Sequence, residues 1–260
     1  MEYGAITSHI DVAQVALYAF WVFFAGLIVY LHRENKREGY PLIAEDRRSG
    51  RVKVQGWPAV PAPKTFRLED GRDYLAPPGN TAEPPLGAVA PQPWPGSPLI
   101  PLGDPLRDAI GPAAYALRED KPDTTGEGKP RIIPMRTSPE YSVAEEDVSP
   151  VGMTVIAADR KPVGVVRDLW IDMSELGVRY LETEITVDGG TRRVLVPLTM
   201  AKIDRDMRLV RTGALLAHQF AHVPGIANPD IVTKLEEDKI TAYFGGGYFY
   251  ATKDRSEPLL

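Results

Sequence analysis

The 260-residue sequence contains no cysteine and only four histidines. Disulfides, thiolate nucleophiles and iron–sulfur ligation by this chain are therefore excluded, and the usual nucleophile–base constellations are hard to build. No G-x-G-x-x-G, phosphate-loop or G-x-S-x-G motif occurs. An enzyme is not expected. Excess positive charge is also lacking: the formal net charge is −5. Residues 1–31 hold Glu2 and Asp11 and no Lys or Arg, which leaves 30 basic against 33 acidic side chains in the rest. That balance gives no basic footprint for nucleic acid.

What the chain does have is one long apolar run, Val12 to Leu31, without a charged side chain and with Gln14 as its only strongly polar member. A helix of that length is about 30 Å long and matches the hydrocarbon core of a bilayer. Arg33, Lys36 and Arg37 follow directly, so the positive-inside rule predicts residues 1–11 outside and everything after the span inside. A cleaved signal peptide fits less well, because the preceding segment is acidic and His32-Arg33-Glu34 is no small-residue cleavage site. Ala19 and Gly26, seven residues apart, share one face and would let a neighbouring helix approach.

The remainder divides by composition. Gly39-Tyr40-Pro41 predicts an end to any extension of the helix. From Trp57 to Pro105 there are thirteen prolines in 49 residues, which excludes a regular core. Aromatics are nonetheless spaced through it, among them Trp57, Phe66, Tyr74 and Trp94. Residues 32–105 are therefore expected to form an extended Pro-rich strap on a membrane or protein surface. Residues 106–260 form the main domain. Within it Arg131 to Met135 predicts a short strand. Met153–Ala157, Val163–Asp172, Val178–Val187, Thr191–Leu198, Lys202–Asp204 and Met207–Thr212 predict a β-meander of barrel or sandwich type, with Asp188-Gly189-Gly190 as a hairpin turn. Thr233-Lys234-Leu235-Glu236 has capping-box form and predicts a helix to about Phe244, stopped by Gly245-Gly246-Gly247.

Two constellations carry chemistry. His218 and His222 have the i, i+4 spacing of a zinc helix, but Gln219 stands where the catalytic Glu belongs, so a pair of surface histidines is the better reading. The other is acidic. Asp168, Trp170 and Asp172 alternate onto one strand face, and Asp172, Glu175 and Arg179 gather at one hairpin end. The pattern alone fits either a solvated turn with surface ion pairs or a proton-conducting cluster tuned by the arginine.

The chain resembles the H subunit of the purple-bacterial photosynthetic reaction centre. The resembling pieces, in order, are Ile10 to Gln14, Arg37 to Leu42, Pro63-Lys64-Thr65-Phe66, Gly103-Asp104-Pro105 and Gly111-Pro112-Ala113. They continue with Asp168 to Asp172, Arg179-Tyr180-Leu181-Glu182, Leu235 to Lys239, Gly245-Gly246 and Tyr250-Ala251. The resemblance implies a fold class of one N-terminal transmembrane helix plus a mainly-β cytoplasmic domain, a small PRC-type β-barrel with one C-terminal helix. It implies a single-pass location in the bacterial inner, photosynthetic membrane, with a periplasmic N-terminus and a cytoplasmic C-terminal domain. Partners would be the L and M subunits, with a bound cytochrome subunit and the core antenna as further candidates, and membrane lipids near Arg33, Lys36 and Arg37. The bacteriochlorophylls, bacteriopheophytins, quinones and non-haem iron would lie in L and M, with none ligated by this chain.

The same resemblance implies a non-catalytic role. The subunit would cap the cytoplasmic side of L and M, shield the quinone sites and conduct protons to the secondary quinone. Asp172, Glu175 and Arg179 match the family's acidic route, and Asp168 on the same strand face is a further proton-transfer candidate. Some members carry a histidine pair at the proton entrance, where this chain reads Gly126-Glu127-Gly128-Lys129-Pro130. Glu127 or another surface carboxylate would have to serve instead. The alternative is a membrane-tethered PRC-barrel adaptor without pigment partners.

Overall fold

The computed structural model describes residues 6–7, 11–37, 39–40, 42–46, 50–69, 71–77, 86–92 and 97–256. Trp94 lies outside them, as does most of the segment before the apolar run. The chain forms two compact units, residues 1–85 with 92–97 and residues 86–91 with 98–260.

In the first unit, helix α1 spans Val12–Asn35 and is long and apolar enough to cross a membrane. Asp11 caps it, its carboxylate accepting the Gln14 N–H at 2.7 Å. The side-chain amide of Gln14 donates to the Tyr18 hydroxyl one turn on at 3.2 Å, which gives the most polar side chain of the run a partner within the helix. No α1 residue is buried within the chain, so its apolar surface is turned outward all round. The helix ends where Lys36 turns back: its ammonium donates to the carbonyls of Gln55 and Pro58, and the residue is 2 % exposed. Arg37 pairs with Glu34 at 2.6 Å and donates to the Ala62 carbonyl. Lys36 and Arg37 are two of the three residues expected near lipid headgroups. Their charges are engaged within the unit, and Arg33 alone of the three stands exposed.

The Pro-rich region contains more regular structure than its composition predicts. Strands β1 (Leu42–Asp46) and β2 (Gly50–Val54) form one antiparallel hairpin, β3 (Lys64–Arg67) and β4 (Asp73–Ala76) another. The first hairpin precedes the Pro-rich stretch, and Pro63 and Pro77 flank the second without interrupting its ladder. Phe66 pairs directly with Tyr74, and both rings are exposed, as are Trp57 and Leu75.

In the second unit, β5 (Ala88–Val89) and β6 (Ile100–Pro101) make a minimal antiparallel pair. The body is a seven-stranded curled sheet, a half-barrel. Its strands are β7 (Ile132–Pro134), β8 (Thr154–Ile156), β9 (Pro162–Asp172), β10 (Gly177–Val187), β11 (Gly190–Pro197), β12 (Ala201–Asp204) and β13 (Leu209–Thr212). Their order is β11-β10-β9-β8-β13-β12, with β7 on β9. The strands β8 to β11 form the expected meander; β13 then returns to lie parallel to β8. Val187 faces Gly190 across the two-residue turn Asp188-Gly189, as the turn residues predict.

Helix α2 spans Lys234–Tyr250 and has its capping box: Thr233 accepts from the Glu236 N–H, and the Glu236 carboxylate accepts the Thr233 N–H at 2.9 Å. It does not stop at Gly245-Gly246-Gly247 but runs through them. The reason is packing. A Cβ on Gly246 would lie 2.6 Å from Ala113 Cβ, and one on Gly247 would lie 2.5 Å from the Ala214 carbonyl. Glycine is used here for close approach, and buried neighbours outweigh its weak helix propensity. The core behind it holds Trp170, Leu181, Val196, Phe220, Ile240 and Phe244, the two Phe rings meeting edge to face at 5.8 Å.

Candidate functional site

The turn end of the β9–β10 hairpin is built around Arg131. Its N–H bonds the Asp123 carbonyl and its own carbonyl accepts from Met173, both at 2.8 Å, so its backbone is locked beside the end of β9. Next to it Ile132 pairs with Asp172 in the β7–β9 ladder. The guanidinium then reaches both acids of the turn. Nε lies 2.9 and 3.0 Å from the two Asp172 oxygens, and Nη2 lies 2.7 Å from Glu175 Oε1. Asp172 Oδ1 also accepts the N–H groups of Ser174 and Glu175 at 2.9 and 3.0 Å, an Asx-type closure of the turn. The Asp172 side chain is fully buried, whereas that of Glu175 is 62 % exposed.

Arg179 is the extra residue of a β-bulge. Ile171 pairs with Val178 and Trp170 with Tyr180, leaving Arg179 out of register. Bulges re-aim a side chain, and this one brings Arg179 to 4.0 Å from Asp172 and 3.8 Å from Glu175. Asp172, Glu175, Arg179 and Tyr180 line a surface pocket of about 390 Å³. The Tyr180 hydroxyl donates to Glu237 at 3.0 Å.

The charges separate these acids. Burial pushes the Asp172 carboxyl up, but Arg131 and the two backbone N–H groups outweigh it and hold it below the usual carboxylate value. Burial likewise pushes Glu237 up, and there the Tyr180 hydrogen bond and the charges of Arg179 and Arg118 do not cancel it. A site that holds one acid ionised and another inclined to keep its proton can accept and release protons over a range of pH.

Asp168 shares its strand with Asp172 but belongs to a second group. Arg136 Nη1 lies 2.9 Å from Asp168 and 2.7 Å from Glu182. Glu182, its side chain 3 % exposed, also accepts from Trp170 Nε1 at 2.8 Å and Arg193 at 2.7 Å. Glu127 is exposed in the loop closed by the Thr124–Pro130 bridge; the Thr125 hydroxyl and its own N–H hold its carboxyl low. No ion pair ties it to Arg131 or Asp172 among the described residues.

Sequence reasoning missed Arg131, Asp123, Glu237, Arg136 and Glu182. The signal for Arg131 was its place at the head of a short strand, but which strand it would join was not readable. His218 and His222 are exposed in a 3-10 turn, Ala217–His222. At three residues per turn the i and i+4 side chains diverge, so the zinc-helix geometry is absent. Among the described residues no group of three or more His, Asp or Glu is placed to hold a metal ion.

One membrane-length helix joined to a curled β-domain with an acid-lined pocket defines a tethered PRC-barrel protein, and residues 142–216 match the PRC-barrel domain. Residues 4–137, just over half the chain, match the photosynthetic reaction centre, H-chain N-terminal region. The chain belongs to the photosynthetic reaction centre H-chain family. It is thus a reaction-centre subunit that associates with L and M, and the pigment-free adaptor reading falls away.

Proposed function

We propose that this chain is a non-catalytic subunit which caps the cytoplasmic side of L and M, shields the quinone sites from water and conducts protons to the secondary quinone. The charge flank of α1 supports that orientation: the only basic residues near the span follow it. The exposed aromatics of the β3–β4 hairpin and Trp57 support a strap that lies on a partner, since a free linker would not carry them.

The observation that carries the proton role is a buried Asp172 side chain lining the same pocket as the exposed Glu175. Quinol formation consumes two protons at a site away from bulk water, so titratable groups must connect it to the cytoplasm. Glu175 meets water and takes a proton; the negative Asp172 attracts it inward. Arg131 and Arg179 keep the two acids from sharing one proton permanently. Tyr180 lines the same pocket and donates to Glu237, a second acid that burial inclines to keep its proton.

In the assembled reaction centre, Asp172→Asn is expected to slow proton uptake after the second flash at neutral pH by about tenfold or more. Wild-type uptake in that variant would remove Asp172 from the route.

A further inference from the structure

A second pocket of the same unit, about 440 Å³ in volume, has the opposite charge. Arg107, Arg192, His222 and Lys239 line it beside the rings of Tyr115 and Tyr243, and no carboxylate lines it. It shares no residue with the Asp172 pocket. Four other arginines of the unit, Arg131, Arg136, Arg167 and Arg193, each meet a carboxylate at 2.7–2.9 Å. Two nitrogens of Arg192 donate to the carbonyls of Ala221 and Val223, which fixes its position without cancelling its charge. Lys239 lies 5.5 Å from the centre of the Tyr115 ring, again without an acid. Arg107 and Arg192 both act electrostatically on the Tyr243 hydroxyl, with Asp104 opposing them from outside the lining.

Three permanent cations around one hollow repel each other unless an anion sits among them. A singly charged carboxylate leaves most of that charge uncompensated, whereas a phosphate group supplies up to two charges and several acceptor oxygens. Guanidinium groups suit such oxygens in geometry as well as charge. The volume falls in the range, above about 300 Å³, of pockets that hold small ligands. We propose that this pocket binds a phosphate group through Arg107, Arg192 and Lys239, with His222 at its rim. The phosphate comes either from a phospholipid headgroup or from a soluble ester. The inference does not depend on the proton route.

The test uses the intact complex in mild detergent, titrated calorimetrically with inorganic pyrophosphate. Saturable binding of one pyrophosphate per complex is expected, weakening with salt. The double variant Arg107→Gln/Lys239→Gln, which alters two residues with no structural hydrogen bond here, should bind about tenfold or more weakly. Arg167→Gln, at an ion pair outside the pocket, should bind as wild type. Native mass spectrometry separates the sources. An anionic phospholipid retained by the wild type, lost from the double variant and displaced by pyrophosphate identifies a headgroup; pyrophosphate binding with no such lipid identifies a soluble ester. No saturable binding, for instance because an acidic segment of a partner subunit fills the pocket, overturns the proposal. Equal binding by wild type and double variant overturns it too.

Discussion

Two acid groups sit four residues apart on β9, and the protein treats them in opposite ways. Asp168 and Glu182 are stitched to Arg136, Arg193 and the Trp170 indole, so Glu182 has every oxygen engaged and almost no water. Asp172 and Glu175 share the Arg131 guanidinium and line one pocket, and Glu175 is mostly in water. Buried carboxylates in general cost desolvation, which only well-placed partners offset. The first group has a partner on both Glu182 oxygens. The second leaves one acid at the surface, where protons can come and go. Position on the strand decides the difference: one group faces the middle of the β9–β10 ladder, the other its turn end.

The largest effect should come from breaking the closed group. Glu182→Ala leaves Arg136, Arg193 and the Trp170 N–H without their common acceptor and should destabilise the β-domain by about 1–3 kcal/mol, chiefly through the buried indole N–H. Faster hydrogen exchange of β9 and β10 amides in the assembled complex would report it, and unchanged protection would refute the assignment of a structural role.

A middle-sized effect is expected at Glu237. Its folded-state pKa is raised above the ordinary 4.5, so the folded state binds the extra proton. Stability from this group is therefore fully present below about that ordinary value and is lost as pH rises through the raised one. Glu237→Gln keeps the uncharged form at every pH. The variant should melt at higher temperature than wild type on the alkaline side and at about the same temperature near pH 4. A constant difference across pH would contradict the raised pKa. The smallest effect is expected at Glu127, exposed and outside both groups: Glu127→Gln should change stability by no more than about 0.5 kcal/mol. If it nonetheless slows proton uptake, the loop is the proton entrance.

Much of this fold was legible because its signals are local. The apolar run, the Asp188-Gly189 turn, the Thr233 capping box and the alternation of β9 and β10 each depend on a few neighbouring residues. What was not legible depends on contacts distant in sequence. Gly245-Gly246-Gly247 looks like a helix stop until Ala113 and Ala214 are seen against it. Asp172, Glu175 and Arg179 could be placed at one turn, but Arg131, 41 residues before Asp172, could not be seen to join them. Nor could the alternation of Asp168 and Asp172 show that separate arginines would claim them. Likewise nothing near Lys36 in the sequence shows that Gln55 and Pro58 bind its ammonium.

The central claim is that the open acid group carries protons and the closed one only holds structure. It is tested most directly by flash kinetics of the second electron transfer to the secondary quinone, recorded across a pH series in complexes carrying Glu175→Gln or Asp168→Asn. The account predicts that Glu175→Gln slows this proton-coupled step and alters its pH profile, while Asp168→Asn leaves both as in wild type. Unchanged kinetics in Glu175→Gln at every pH, or equal slowing in the two variants, would contradict it.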